Sequence, residues 1–270
     1  MSGRDAEVSL LGTTPGIEDR AGRPALRRRQ ATLLGRPTAR TIRWLPLAVT
    51  AVAAELVLWA AKDELSKGEA VPLLPVRVAA VLLCLGAAFL LDDAAGATIE
   101  PVVPTLLFRR GLRLMLGLPL IAMPWGAALW VVSTLAASGT GSSAHRSLPA
   151  AALTLEAAAL LAVTLAAAAV ATRTQGHGKG GTAAGPALLA FVMGVAAIGK
   201  YWPMFQGSPA EPGWAAAHVR WAAILAAAVI VLIVASLDPA RRSRFIGRDR
   251  GLRRTVFGPQ AARAPAGGKS

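Results

Sequence analysis

Six long apolar stretches, joined by short polar connections, constrain what this chain can fold into. The stretches are residues 44–61, 73–91, 112–135, 148–172, 183–202 and 214–237. About 18 or more apolar residues in a helix suffice to cross the roughly 30 Å hydrocarbon core of a bilayer. Charged residues make up 16% of the 270, whereas a soluble domain carries about 25%. The sequence predicts an all-α, polytopic membrane helix bundle with six transmembrane helices over residues 44–237.

The placement of the basic residues predicts how this bundle is oriented. Nine Lys and Arg residues lie in each tail, three lie around the connection after the second stretch, and two follow the fourth. Together these are 23 of the 29 basic residues, all on one side of six spans. Cytoplasmic flanks of membrane proteins carry such an excess. Both termini are therefore predicted to lie in the cytoplasm, in a multi-pass protein of the cell membrane.

The two tails have no apolar core of their own. Residues 1–43 form a basic tail predicted to be disordered, with leucines among arginines over residues 26–43. That part is either an interfacial helix on the cytoplasmic surface or a tail that only enforces topology. Residues 238–270 form a basic cytoplasmic C-terminal tail. The net charge of +14 follows from this positive-inside bias, so no nucleic-acid partner is predicted.

Ionisable side chains within the spans are the first candidates for function. Each costs about 2.5–3.5 kcal/mol at a helix centre, so each needs a partner or a water-filled cavity. The predicted topology gathers several of them in the outer third of the membrane. We call this set the outer polar layer: Glu55, Arg77, Glu156, Lys200, His218 and Arg220.

Two interpretations of the outer polar layer remain open. Either Glu55 and Glu156 pair with Arg77, Arg220 or Lys200 and hold the bundle together, or the layer lines an outward-facing cavity that meets a substrate or passes protons. On the second interpretation, Glu55→Gln and Glu156→Gln impair transport without abolishing insertion.

Enzyme signatures are missing from the sequence. The glycine-rich residues 176–182 lack the G-x-x-x-x-G-K-[ST] spacing of a phosphate-binding loop. No H-E-x-x-H, G-x-S-x-G or clustered His/Cys set occurs, and Cys84 is a lone cysteine in an apolar stretch. We therefore predict no enzymatic activity, no catalytic residue, no metal site, no cofactor and no nucleotide site within this chain.

Small residues and prolines mark two of the spans. Pro119 and Pro124 in the third stretch predict a kink, and either a moving gate or an ordinary membrane helix explains them. Ala190 and Gly194 in the fifth stretch have the spacing of small residues that suits close helix packing.

The connection between the second and third stretches, residues 89–113, is the most distinctive polar segment. Paired aspartates stand at the membrane edge, a proline-bounded segment follows, and leucines and a phenylalanine then meet arginines. This pattern indicates either a short amphipathic element that docks on a partner or a connector whose arginines only set topology. We call the candidate residues the docking loop: Asp92, Asp93, Glu100, Pro104, Phe108, Arg109, Arg110 and Arg113.

This segment and the six-span layout resemble short six-span actinobacterial permease-like proteins, which are membrane subunits of ABC transporters of the ABC-2 exporter type. The resemblance implies a bacterial plasma-membrane permease that pairs with a separate ATP-binding cassette ATPase and with a second copy or a second permease subunit. It implies a coupling helix over about residues 104–113 and a connecting helix over about residues 26–43. The chain departs from larger permeases of this type in having only short outer connections. A proton-coupled secondary transporter and a non-transporting scaffold subunit are the alternatives.

Overall fold

The computed structural model describes residues 44–67, 72–92, 106–138, 148–175 and 179–237. Over these ranges the regular elements are all helices, with no strand, and residues 198–213 form turns and bends. Both predicted tails lie outside them. The helices are α1 (Trp44–Ala60), α2 (Lys62–Lys67), α3 (Leu74–Ala87) with its 3₁₀ continuation Ala88–Leu91, α4 (Leu106–Ser138), α5 (Ala150–Gln175), α6 (Gly180–Ala197) and α7 (Trp214–Ser236).

Five helical stretches in the described ranges are long and apolar enough to cross a membrane. They have mean hydropathies between 1.5 and 2.4 and lie at Leu74–Leu91, Arg110–Ala137, Ala150–Gln175, Gly180–Ala197 and Trp214–Ser236. The all-α class is thus confirmed, with five candidate spans. The remaining predicted span, α1, is an apolar helix of 17 residues. At 1.5 Å per residue it is about 26 Å long, the lower end of the range that crosses a bilayer.

Helix α5 forms the centre of the bundle and packs against α3, α6 and α7, while α1 packs on α3. Its alanines make this position possible, because small side chains let neighbouring helices approach closely. Ala159, Ala168 and Ala169 are fully buried. In the membrane-length windows of α3 and α5, 56% of residues are buried, against 22% for α4 and α7. Helices α4 and α7 therefore have most of their surface on the outside of the bundle.

Helix α4 is longer than the sequence predicts. It begins at Leu106 rather than near Leu112 and contains both Pro119 and Pro124. The amphipathic element predicted as a separate docking segment is therefore continuous with the membrane helix. A proline removes one backbone donor and crowds one turn, and membrane helices tolerate this because neighbouring groups satisfy the freed carbonyl.

Candidate functional site

A buried ion pair joins α3 to α5 at one end of the bundle. Arg77 lies in the first turn of α3, and Glu156 lies in the second turn of α5. The Arg77 Nε and Nη2 atoms donate to Glu156 Oε2 and Oε1 at 2.8 and 2.9 Å. Glu156 is only 2% exposed. The planar guanidinium and the carboxylate match in shape, which gives the short, charge-assisted geometry of a two-point contact.

The connection between α6 and α7 packs against this ion pair. Arg77 Nη2 also donates to the main-chain oxygen of Gln206 at 2.8 Å, and the guanidinium carbon lies 5.3 Å from the centre of the Phe205 ring. The fully buried Trp221 of α7 donates from Nε1 to the Met204 oxygen at 3.1 Å. The connection is thus fixed to α7 and supplies Arg77 with a third acceptor.

His218, on the first turns of α7, completes the site. Its Nδ1 lies 2.8 Å from the Trp214 main-chain oxygen. Because a carbonyl oxygen only accepts, Nδ1 is the nitrogen that carries the proton in this contact. The buried Nε2 has no hydrogen-bond partner and lies 3.4 Å from Glu156 Oε1. A proton added at Nε2 would therefore face the carboxylate that Arg77 already holds.

Three members of the outer polar layer thus meet, and we call Arg77, Glu156 and His218 the buried trio. The other three lie apart from it. Arg220 donates from Nη1 to the Pro203 oxygen at 3.0 Å. The exposed Lys200 lies 6.0 Å from the centre of the Tyr201 ring. Glu55, on α1, makes no hydrogen bond or ion pair with any other residue in the described ranges.

A second set of polar contacts lies at the opposite ends of α3 and α5. Asp92 is 2% exposed, and its Oδ1 accepts a hydrogen bond from the Gly181 amide at 2.9 Å, in the first turn of α6. Its main-chain oxygen accepts from Arg113 Nη1 at 2.5 Å. The buried Asp92 Oδ2 has no hydrogen-bond partner. A carboxylate beside the first turn of a helix is stabilised by free amides and the helix dipole.

Arg110 ties α4 to the last turns of two other helices. It donates to the Ala235 oxygen at 2.9 Å and to Ser236 Oγ at 3.1 Å on α7, and to Thr172 Oγ1 at 2.6 Å on α5. Arg173 adds a bond to the Val234 oxygen at 3.1 Å. The final carbonyls of a helix lack partners within that helix and carry partial negative charge, so arginine is well suited to this place.

The docking loop is therefore divided by the structure. Asp92, Arg110 and Arg113 make their contacts inside the bundle, and Phe108 is half-buried. Asp93, Glu100, Pro104 and the side chain of Arg109 lie outside the described residues. The docking role itself stays a prediction.

An apolar cavity of about 500 Å³ lies between α3, α4 and α5. Its lining includes Cys84, Trp125 and Thr154, and Trp125 Nε1 donates to Thr154 Oγ1 at 3.2 Å. No group of three or more His, Cys, Asp or Glu side chains that could hold a metal occurs in the ranges that the structure describes.

Sequence reasoning missed the contribution of the α6–α7 connection. The acceptor from Gln206 is a main-chain atom, which no side-chain pattern reveals. The contact of Trp221 could have been anticipated. A tryptophan seven residues into an apolar stretch has an N–H group that needs a hydrogen-bond acceptor when buried.

Comparison with family models, curated proteins and solved structures gives no match. The geometry of the two polar ends and the cavity between α3, α4 and α5 is therefore the basis for proposing a function.

Proposed function

We propose that this chain is the integral membrane permease subunit of an ATP-driven, ABC-type exporter. It crosses the membrane six times, with both termini in the cytoplasm, and couples to a separate ATPase through the segment that leads into α4. Helix α4 carries the proposal. It runs without interruption from Leu106 to Ser138 and forms one wall of the apolar cavity.

Six crossings follow from treating α1 as a span together with the five longer helices. Its 17 residues lie within the length range of membrane helices. An even number of spans places both arginine-rich tails on the same face, in agreement with the positive-inside bias. The Arg110 end of the bundle is then cytoplasmic, and the buried trio lies in the outer half of the membrane.

The continuity of α4 supports coupling between this cytoplasmic end and the cavity. A force applied near Leu107, which is 47% exposed, acts on the same continuous helix that contributes Met115, Pro119 and Trp125 to the cavity lining. Backbone hydrogen bonds connect the first turns to Met115, which precedes the two prolines that each remove one such bond. A partner that moves the first turns therefore also moves this part of the cavity wall. Without a nucleotide motif in the chain, that partner supplies ATP hydrolysis.

The test is to co-express the full chain with the ATP-binding cassette ATPase encoded nearest to its gene and to measure ATPase activity in proteoliposomes. Leu107→Asp places a carboxylate in the first turn of α4, where the helix dipole tolerates negative charge. We expect it to lower complex formation and ATPase activity at least about tenfold, the equivalent of about 1.4 kcal/mol. Lys62→Asp places a carboxylate at an exposed position of α2, at the other end of the bundle. It is the control and leaves both unchanged.

Two results would reject the proposal. If the ATPase does not associate with the wild-type chain, the coupling role is wrong. If substrate flux proceeds without the ATPase, follows a proton gradient and is lost in Glu156→Gln, the chain is a proton-coupled secondary transporter. The 3.4 Å separation of His218 Nε2 and Glu156 Oε1 is the observation that favours this second candidate.

A further inference from the structure

A second apolar groove, of about 410 Å³, lies between α6 and α7. On α6 its wall is formed by Phe191 and Val195, which are four residues apart and so share one helix face, and by Ile198, which directly follows the helix. On α7 the facing wall includes Ile224 and Ala227. Both helices pack on α5, and the lining residues come from successive turns of each, so the groove between them follows the direction of the helices.

One cation lies at the end of this groove. Arg220 belongs to its lining, and its guanidinium is held by the Pro203 oxygen, 3.0 Å from Nη1, and by the Trp202 ring, 5.5 Å away. A guanidinium has five N–H donors, so this contact leaves others available. Among the described residues no carboxylate pairs with Arg220, in contrast to Arg77. The exposed Lys200 lies two residues before Trp202 and adds positive charge to the same end.

We infer that the groove binds an anionic phospholipid, with one acyl chain between α6 and α7 and the phosphate on Arg220. The groove offers an apolar wall along the helices and, at one end, a fixed cation that no carboxylate of the described ranges pairs with. That arrangement is complementary in charge and shape to a molecule with a long apolar chain and a negative headgroup. Tyr201 and Trp202 stand at the same end, and such aromatic side chains prefer the headgroup level of a bilayer. Basic pockets between membrane helices recognise lipid headgroups by this chemistry.

The inference is tested by native mass spectrometry of the delipidated full-length chain, titrated with dioleoyl phosphatidylglycerol or dioleoyl phosphatidylcholine. We expect tighter binding of phosphatidylglycerol. Arg220→Gln should weaken it about tenfold, the effect of losing one hydrogen bond to a charged group. Phosphatidylcholine carries the same phosphate next to a choline cation, so its binding should weaken less. Lys62→Gln is the matched control, because Lys62 is an exposed cation whose Nζ lies 4.6 Å from the Trp59 ring. It should alter neither affinity.

Two further measurements distinguish the contribution of the lipid's acyl chain to binding from that of its headgroup. Ala227→Leu fills the groove while keeping Arg220, and we expect it to weaken phosphatidylglycerol binding several-fold. Inorganic phosphate should not compete, because it cannot occupy the apolar walls. Equal affinity for the two lipids, unchanged binding in both Arg220→Gln and Ala227→Leu, or full competition by inorganic phosphate would each overturn the inference. If Arg220→Gln does not fold, Arg220→Lys keeps the charge and should bind phosphatidylglycerol better than phosphatidylcholine.

Discussion

Glu156 is the residue on which most of the polar chemistry at one end of the bundle converges. It accepts two hydrogen bonds from Arg77 and lies beside the Nε2 atom of His218. Removing one partner of a buried ion pair costs about 3–5 kcal/mol, because it leaves an uncompensated charge, whereas replacing both partners by apolar groups is often neutral. The trio therefore specifies which faces of α3, α5 and α7 meet more than it adds net stability.

Glu156→Leu is expected to lower the free energy of unfolding by about 3–5 kcal/mol because it leaves Arg77 unpaired. The double variant Arg77→Met/Glu156→Leu should recover most of that loss, since no buried charge remains. Thermal unfolding of the purified protein in detergent measures both. Glu55→Leu is the control, because Glu55 has no ion-pair partner among the described residues, and it should not be destabilising. Equal losses in the single and double variants would contradict the pairing.

For single residues, the sequence indicated that ion pairs could form within the outer polar layer, but it did not identify which residues pair. Pairing of Glu156 with Arg77 was one of the interpretations open to the outer polar layer, whereas Lys200 and Glu55 do not join it. The sequence could not decide among them, because Arg77 and Glu156 are 79 positions apart. Their meeting depends on how α3 and α5 are rotated about their axes, which hydropathy does not encode.

For the helices, the close contact between α1 and α3 occurs at Gly86. The four-residue spacing of small side chains had pointed to Ala190 and Gly194 instead. The small residues Ala190 and Gly194 predicted a close contact, yet a Cβ at Gly194 would meet nothing within 4 Å. At Gly86 of α3 a Cβ would lie 2.0 Å from Thr50 Oγ1 and 2.9 Å from Leu47 Cα on α1. In a chain this rich in alanine, small residues four apart occur on many faces, so their spacing does not identify the interface.

The two glycines provide a matched test of this packing. Gly86→Ala forces α1 away from α3, because the obstructing atoms include backbone, and we expect a loss of about 1–3 kcal/mol as for overpacking elsewhere. Gly194→Ala adds a methyl group in open space and should be neutral or stabilising by up to about 1 kcal/mol through helix propensity. Chemical denaturation of both variants gives the comparison. A Gly86→Ala protein as stable as Gly194→Ala would exclude the close α1–α3 contact.

For the whole molecule, the approximate positions of the apolar helices could be predicted from the sequence. Hydropathy reports local composition, and the apolar stretches at α3 to α7 correspond to the five membrane-length helices. The first stretch yields the shorter α1. The extension of α4 back to Leu106 was not foreseen, because residues 106–113 mix leucines with arginines and therefore lie outside the apolar window.

Topology reporters fused at residues 1 and 270 decide whether α1 crosses the membrane. Six crossings place both reporters in the cytoplasm, as the arginine distribution requires. A reporter inserted in residues 68–71 should then lie outside. If α1 does not cross, the five remaining spans put the two tails on opposite faces. Four of these spans separate the docking loop from residue 270, so the proposed position of the loop is wrong if the C-terminal reporter lies outside.

The segregation of polar groups to the two ends of the bundle has an electrical consequence. Along α5, the stretch between Glu156 and Thr172 contains one polar side chain, Thr164, whose hydroxyl donates to the Leu160 oxygen of its own helix at 2.8 Å. At 1.5 Å per residue this stretch is about 24 Å of hydrocarbon-like interior. Thr164 is the one side chain along this stretch that could bind an ion, and its hydroxyl is already held by its own helix. A charged group placed beside this part of α5 would therefore lose the polar contacts available at either end, at the high electrostatic cost of a low-dielectric interior.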